Sequence, residues 1–444
     1  MPGLSSTIKN NFIRPLGDAK TFGFPRRLIA PFFILLAAFN IIPIGLLSYY
    51  NLDPFKIVSL FFLFYAFITF KEWRNKNVLF QALFIIAILC SYVNMVIMRG
   101  KVFDWTSYYC LYYLYFFVIM SSVRETDDIY LYIRFLLIVC FLATLVHIFF
   151  YINPWILEGT LTDIRMGSLR TDVDETRIFI PGSGFIAIGF LYLVTKILYR
   201  KRINVVDIFL LAFFSFSIFF ISSIRTYLLG VVVVVFVLFL VKKISFKAIL
   251  ALLVPAIVLI GILYLFNDSA YNYIVSRFDI FFKLGDFKPV DAFNLNIDYG
   301  GELDLGTVYW RIMESAYVLQ VFFKDLPSFL FGQIGVLYDF LGVEENAAPH
   351  ISLVGVYFLF GLVGLITFLT FLVNFTVLII KNLRLSKKTD LEFLAIVFTV
   401  IWFTLFIFSF FGGIYYSELI LMITFTSACS VFLNKKLKLI TKRA

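Results

Sequence analysis

The sequence predicts an all-α chain, a polytopic transmembrane helix bundle of about 12 spans with both termini cytoplasmic. Three observations predict it. Mean hydropathy is +0.95 over 444 residues, 61% of which are hydrophobic. Apolar segments of spanning length recur along the whole chain, separated mostly by short polar or basic breaks. The basic residues concentrate in alternate breaks.

Residues 1–27 are basic and polar and read as a cytoplasmic tail. No small-residue cleavage site follows the first apolar segment, 28–49, so it reads as an uncleaved first span rather than a signal peptide. Segments 54–70, 78–98, 107–123 and 130–152 come next. A smaller outer excursion at 153–178 separates them from 179–199, 207–224, 226–241 and 248–266, which completes nine spans over 28–266. The stretch 267–349 is too long and too polar for a simple connector and forms a large outer loop. Spans ten to twelve, at 350–380, 391–411 and 416–434, fill the region 350–434, and 435–444 is a basic cytoplasmic tail.

Charge orients this list. With the N-terminus inside, the inner loops and tails hold about 25 of the 38 Lys and Arg residues, while most acids fall outside. The net charge of +10 follows from that asymmetry, which orients a membrane protein and does not indicate nucleic-acid binding. Cys90, Cys110, Cys140 and Cys429 all fall inside spans, which excludes a disulfide framework in the outer loop. The two halves show no similarity of the kind an inverted-repeat transporter carries.

The large loop has its own pattern. Tyr271–Leu284 has apolar residues at helical spacing and reads as an interfacial helix, and 285–306 is rich in Gly, Asp and Asn and reads as irregular. Val308–Phe323 is helical again, with Ile312, Ala316, Leu319 and Phe323 on one face and Arg311 with Ser315 on another. Pro327 and the pair Gly332 and Gly335 (FLFGQIG) are expected to end that helix in a turn.

Few residues offer chemistry. His350 follows Pro349 at the outer water interface, where it reads either as a proton acceptor or as a cap on the tenth span. His147, mid-span, reads as a hydrogen-bonded packing residue. Arg225, in SSIRTYLLG, faces outward against the charge trend, as an anion-binding group or a snorkelling side chain. Arg311 stands beside Tyr309 and Trp310, Arg177 starts the sixth span in TRIFIPGSGF, and Arg165 and Arg170 lie just upstream. Together these outward guanidinium groups suit a diphosphate held at a membrane surface. Asp172, Asp174 and Glu175 read as a solvated acidic loop. Glu418, at the last outer turn, reads as facing a cavity or capping a helix.

The order of these residues resembles the O-antigen polymerase and O-antigen ligase superfamily of bacterial envelope glycosyltransferases. Three passages within about 218–370 carry the likeness: SSIRTYLLG, Trp310-Arg311 through FLFGQIG, and His350 through FGLVGLITF with its Gly-x-x-Gly. Ile351 stands where that family usually has Asn after the histidine. The resemblance implies a GT-C-like bundle in the bacterial inner membrane, with a helical periplasmic loop before the tenth span and a site facing the periplasm. It implies undecaprenyl-diphosphate-linked oligosaccharides as donor and acceptor, a chain-length regulator as a protein partner, and no metal, nucleotide or other cofactor. In that reading Arg225 and Arg311 bind the diphosphate, helped by Arg177 and Tyr309, and His350 activates the acceptor hydroxyl.

Physical chemistry fits this expectation. Pre-placed arginines stabilise the charge that develops as the C–O bond to diphosphate breaks. A base within hydrogen-bond reach helps a sugar hydroxyl attack. The reading favoured is a repeat-unit polymerase, since both outer excursions contain arginines. An O-antigen ligase is the second reading. A lipid-linked oligosaccharide flippase or transporter is the third, and the gathering of charge at the outer edge argues against it.

Overall fold

The computed structural model describes residues 75–99, 107–153, 183–199, 204–218, 226–241, 243–244, 315, 318–319, 326–332, 338–340, 343–345, 352–411 and 417–443. The expected spans at 28–49, 54–70 and 248–266 and most of the large loop lie outside them. The described residues form a helical membrane protein. Its helices are α1 (Lys76–Arg99), α2 (Ser107–Ser122), α3 (Thr126–Ile152), α4 (Ser183–Leu198), α5 (Val205–Phe216) and α6 (Thr226–Leu240). A short α7 (Leu326–Phe331) precedes a two-stranded hairpin, β1 (Tyr338–Phe340) and β2 (Val343–Glu345), the one departure from all-α among them. Then come α8 (Ser352–Leu385), α9 (Glu392–Phe411) and α10 (Ser417–Arg443). Among the described residues four helices are long and apolar enough to cross a membrane, over Asn77–Asn94, Thr126–Phe149, Leu353–Leu385 and Ile420–Lys442.

Helix boundaries depart from the hydropathy pattern for identifiable reasons. α3 begins at Thr126, ahead of the apolar run at 130, because Asp128 accepts the N–H groups of Arg124 and Glu125, each at 2.9 Å. α5 repeats the device: Asn204 N–H donates to Asp207 at 2.9 Å. The final helix does not stop at 434. It runs through Arg443, so the basic tail continues the span, with Leu437 buried and Lys435 and Lys438 exposed. Lys436 stacks its ammonium over Phe432 at 5.6 Å. The expected single span at 350–380 is two helical pieces, broken at Gly361 (φ 66, ψ −169).

Packing is apolar and close. α1 runs antiparallel to α8: Asn374 donates to Asn77 at 3.0 Å near one end, and Ser91 donates to the Phe360 carbonyl at 3.3 Å near the other. α10 lies on α2, and α4 touches α3, α5, α6 and α9. Phe84 meets Tyr113, Phe368 and Phe371. Trp402 is buried, and its indole N–H donates to Thr376 at 2.9 Å. Glycines permit the tightest crossings: a Cβ at Gly189 would press Cys140 Sγ at 2.7 Å. Outward, α3 exposes Ile138, Leu142, Leu145 and Phe149, and α8 exposes Ile366, Leu369, Val373 and Val377. Such unbroken apolar stripes at helical spacing suit acyl chains rather than water.

One end of the bundle is basic. There Lys196 donates to both oxygens of Asp207 at 2.7 Å, joining the end of α4 to the start of α5. Glu392, at the start of α9, accepts from Lys243 at 2.9 Å and from Tyr199 at 3.3 Å. The hydrogen bond to Glu392 raises the Lys243 pKa. Asn434 donates to Asn382 at 2.7 Å, and Asn382 donates to the Ser430 carbonyl at 2.8 Å, tying α8 to α10. Lys381, Arg384, Lys387 and Lys388 are exposed beside them.

Candidate functional site

The opposite end of the bundle gathers the end of α1, the start of α2, the end of α3, the start of α4, the end of α5, and the starts of α6, α8 and α10. These ends adjoin the candidate residues in the chain. Arg165, Arg170 and Arg177 fall between α3 and α4; Arg225 precedes Thr226; His350 precedes α8 by two residues; and Glu418 is the second residue of α10. Tyr309 and Arg311 come shortly before Ser315, which is buried. The side chains of all eight lie outside the described residues.

What the structure describes at this end is a crossing of two backbones. α7 starts with Leu326-Pro327: a proline in a first helical turn forfeits no hydrogen bond, and its fixed φ suits the helix. Pro327, expected at the turn after the preceding helix, lies in the first turn of α7. Gly332 closes α7, its N–H donating to the Ser328 carbonyl at 2.8 Å, with φ 81. A Cβ on Gly332 would overlap the backbone of Leu359 and Phe360. A Cβ on Gly361, itself at φ 66, would overlap the backbone of Leu330 and Phe331. Each glycine thus lies on the segment that ends at the other.

The break at Gly361 has two local consequences. It frees helical carbonyls, and Ser91, whose hydroxyl also reaches the Ala87 carbonyl one turn back at 3.0 Å, shares its proton with that of Phe360 at 3.3 Å. It also folds the Phe360 side chain over the position a Gly364 Cβ would take, which explains the Gly-x-x-Gly spacing. Asn94, one turn beyond Ser91, donates to the Gly332 carbonyl at 3.4 Å. Phe329 packs edge-on against Tyr357, with centroids 6.2 Å apart. Two of the three passages that carry the resemblance, FLFGQIG and FGLVGLITF, are therefore in direct contact.

Sequence reasoning missed Ser91 and Asn94. The available signal was two polar residues three apart on one face of an otherwise apolar span, which calls for partners inside the protein. His147 is placed as expected, buried and hydrogen-bonded, with Nδ1 3.1 Å from Ser217 Oγ. Among the described residues no group of three or more His, Cys, Asp or Glu side chains is arranged to hold a metal ion. Asp172, Asp174 and Glu175 lie outside them. Neither a scan against protein-family models nor a search of curated proteins finds a match for this chain.

Proposed function

We propose that this chain is a membrane glycosyltransferase, an O-antigen or capsular polysaccharide polymerase of about 12 spans with both termini cytoplasmic and its site facing the periplasm of a bacterial inner membrane. The observation that carries the reading is the Gly332–Gly361 crossing. It joins the passage that follows Arg311 to the helix that follows His350, and the resemblance assigns the diphosphate to the first and the acceptor hydroxyl to the second. The alternation of helix directions supports it as well, since the helix ends next to Arg177, Arg225, His350 and Glu418 share the end opposite the basic one.

In this reading Arg225 and Arg311 hold the diphosphate of an undecaprenyl-linked donor, with Arg177 and Tyr309 beside them and Arg165 and Arg170 contributing field. The acceptor sugar hydroxyl attacks the anomeric carbon. The C–O bond to diphosphate breaks with inversion, and the lipid diphosphate leaves as an anion stabilised by guanidinium groups. His350 takes the hydroxyl proton. No metal or nucleotide takes part.

The test uses purified protein in nanodiscs with lipid-linked repeat unit as the sole substrate. Chain extension without any other acceptor is expected. Transfer that requires a lipid A core acceptor would make the enzyme a ligase. No glycosyl transfer with either acceptor would end the glycosyltransferase reading.

A further inference from the structure

We infer that Ser91 and Asn94 of α1 are positioning residues for the proposed transfer: through the Gly332–Gly361 crossing they set the outer loop against the helix that follows His350. The inference rests on the glycosyltransferase reading and adds two residues that reading does not contain.

The argument begins with the backbone. A positive φ at two glycines, each packed on the other's segment, leaves no room for a side chain at either position. Such a crossing has few ways to slide, because any shift drives one backbone into the other. It still lacks donors, since a helix break and a helix end both strand carbonyls. α1 provides them. Ser91 Oγ–H is shared between the Ala87 carbonyl of its own helix at 3.0 Å and that of Phe360 on the α8 side at 3.3 Å, and Asn94 Nδ2 donates to Gly332 on the α7 side. Ser91 is buried, and both residues stand on one face of α1, a turn apart. One rigid helix therefore grips both halves of the crossing. His350 lies two residues before α8, and α7 belongs to the loop that contains Arg311.

A hydrogen bond that only stabilises the fold alters how much protein survives. One that positions reacting groups alters turnover per molecule. Ser91→Ala acts on the α8 side and is expected to lower kcat about five- to tenfold with donor KM unchanged, the size of one lost hydrogen bond expressed in the placing of the helix that follows His350. Asn94→Leu acts on the α7 side and is expected to raise donor KM by about the same factor. Ser91→Thr keeps the hydroxyl and should restore kcat.

A second readout needs no substrate. Ser328 of α7 is buried. In a cysteine-free background, Ser328→Cys should react slowly with an impermeant maleimide, and about fivefold faster once Asn94→Leu is added. Gly332→Ala should accelerate labelling further, and it remains informative even if that variant accumulates poorly.

Normal kcat and KM per molecule in both Ser91→Ala and Asn94→Leu would overturn the inference, whatever the labelling shows. Faster labelling with unchanged kinetics would make the crossing structural only. Should Arg311→Ala and His350→Ala also turn over normally, the glycosyltransferase reading itself fails and the inference falls with it.

Discussion

His147 and Ser217 meet across 70 residues of chain, Nδ1 to Oγ at 3.1 Å, with both side chains fully buried. Ser217 sits in the π turn that closes α5, on the strand of sequence leading to Arg225. Ser217→Ala should destabilise the folded protein by about 1 kcal/mol, the usual size of a hydrogen bond between membrane helices. Ser217→Thr should not. Unfolding in a graded detergent series measures both, and equal midpoints would show that the pair contributes nothing.

The Lys243–Glu392 ion pair makes a pH prediction. Its hydrogen bond raises Lys243 above the ordinary value of 10.5, so the folded state holds that proton more tightly than the unfolded chain. The stabilisation is therefore complete at neutral pH. It disappears only as pH rises through the ordinary value and past the raised one. Lys243 is partly exposed, which limits the gain to less than about 1 kcal/mol. Lys243→Met should shift the thermal midpoint by the same small amount at pH 6 and pH 8, within about 0.3 kcal/mol, and by less in strong alkali. A difference that grows with alkalinity would reverse the assignment.

Orientation can be read with thiols. A cysteine placed at Gly301 in a cysteine-free background should react with an impermeant reagent from outside intact cells. Ser386 is buried and would report from neither side, whereas Lys387, next in the chain, is exposed. Lys387→Cys should label only after the membrane is opened. The reverse pattern would place the basic end outside and move every candidate residue to the wrong compartment.

Chelation separates arginine chemistry from metal chemistry. Under the proposed mechanism guanidinium groups neutralise the leaving diphosphate, so activity should persist in EDTA. Loss on chelation, with recovery on adding magnesium or manganese, would point to Asp172 and Asp174 as ligands.

The sharpest predictions concern Arg225, Arg311 and His350. Arg225→Lys keeps the charge but loses the planar, bidentate fork, and should reduce activity. Arg311→Ala should weaken donor binding and slow turnover. His350→Ala should remove the base and cost on the order of 10²–10⁴ in rate, with donor binding retained. In cells that turns long glycan ladders into single repeat units, read on one gel beside a blot for protein level. Normal ladders from well-expressed His350→Ala would reject the base. Loss of the protein itself would instead favour a helix-capping histidine.

The positions of the described spans were legible in the sequence alone. The expected 78–98 is Lys76–Arg99, 226–241 is Thr226–Leu240, and 391–411 is Glu392–Phe411. Hydropathy is a local quantity: it reports the solvent one segment prefers, and a segment keeps that preference whatever its neighbours do. The misjudged ends are those where polar groups extend a helix past its apolar run, as Asp128 does for α3 and the Lys-rich turns do for α10. The residue types at the candidate site, arginines and one histidine beside apolar segments, are visible in the sequence without a fold. Only the tertiary structure decided the break at Gly361, the close approach of Gly332 to it, and the grip of Ser91 and Asn94 on both. A left-handed φ at one glycine leaves no trace in a helical period. Whether it is tolerated depends on a second backbone, 29 residues away in the chain, arriving with its own glycine. That is a relation between segments, and no segment carries it alone.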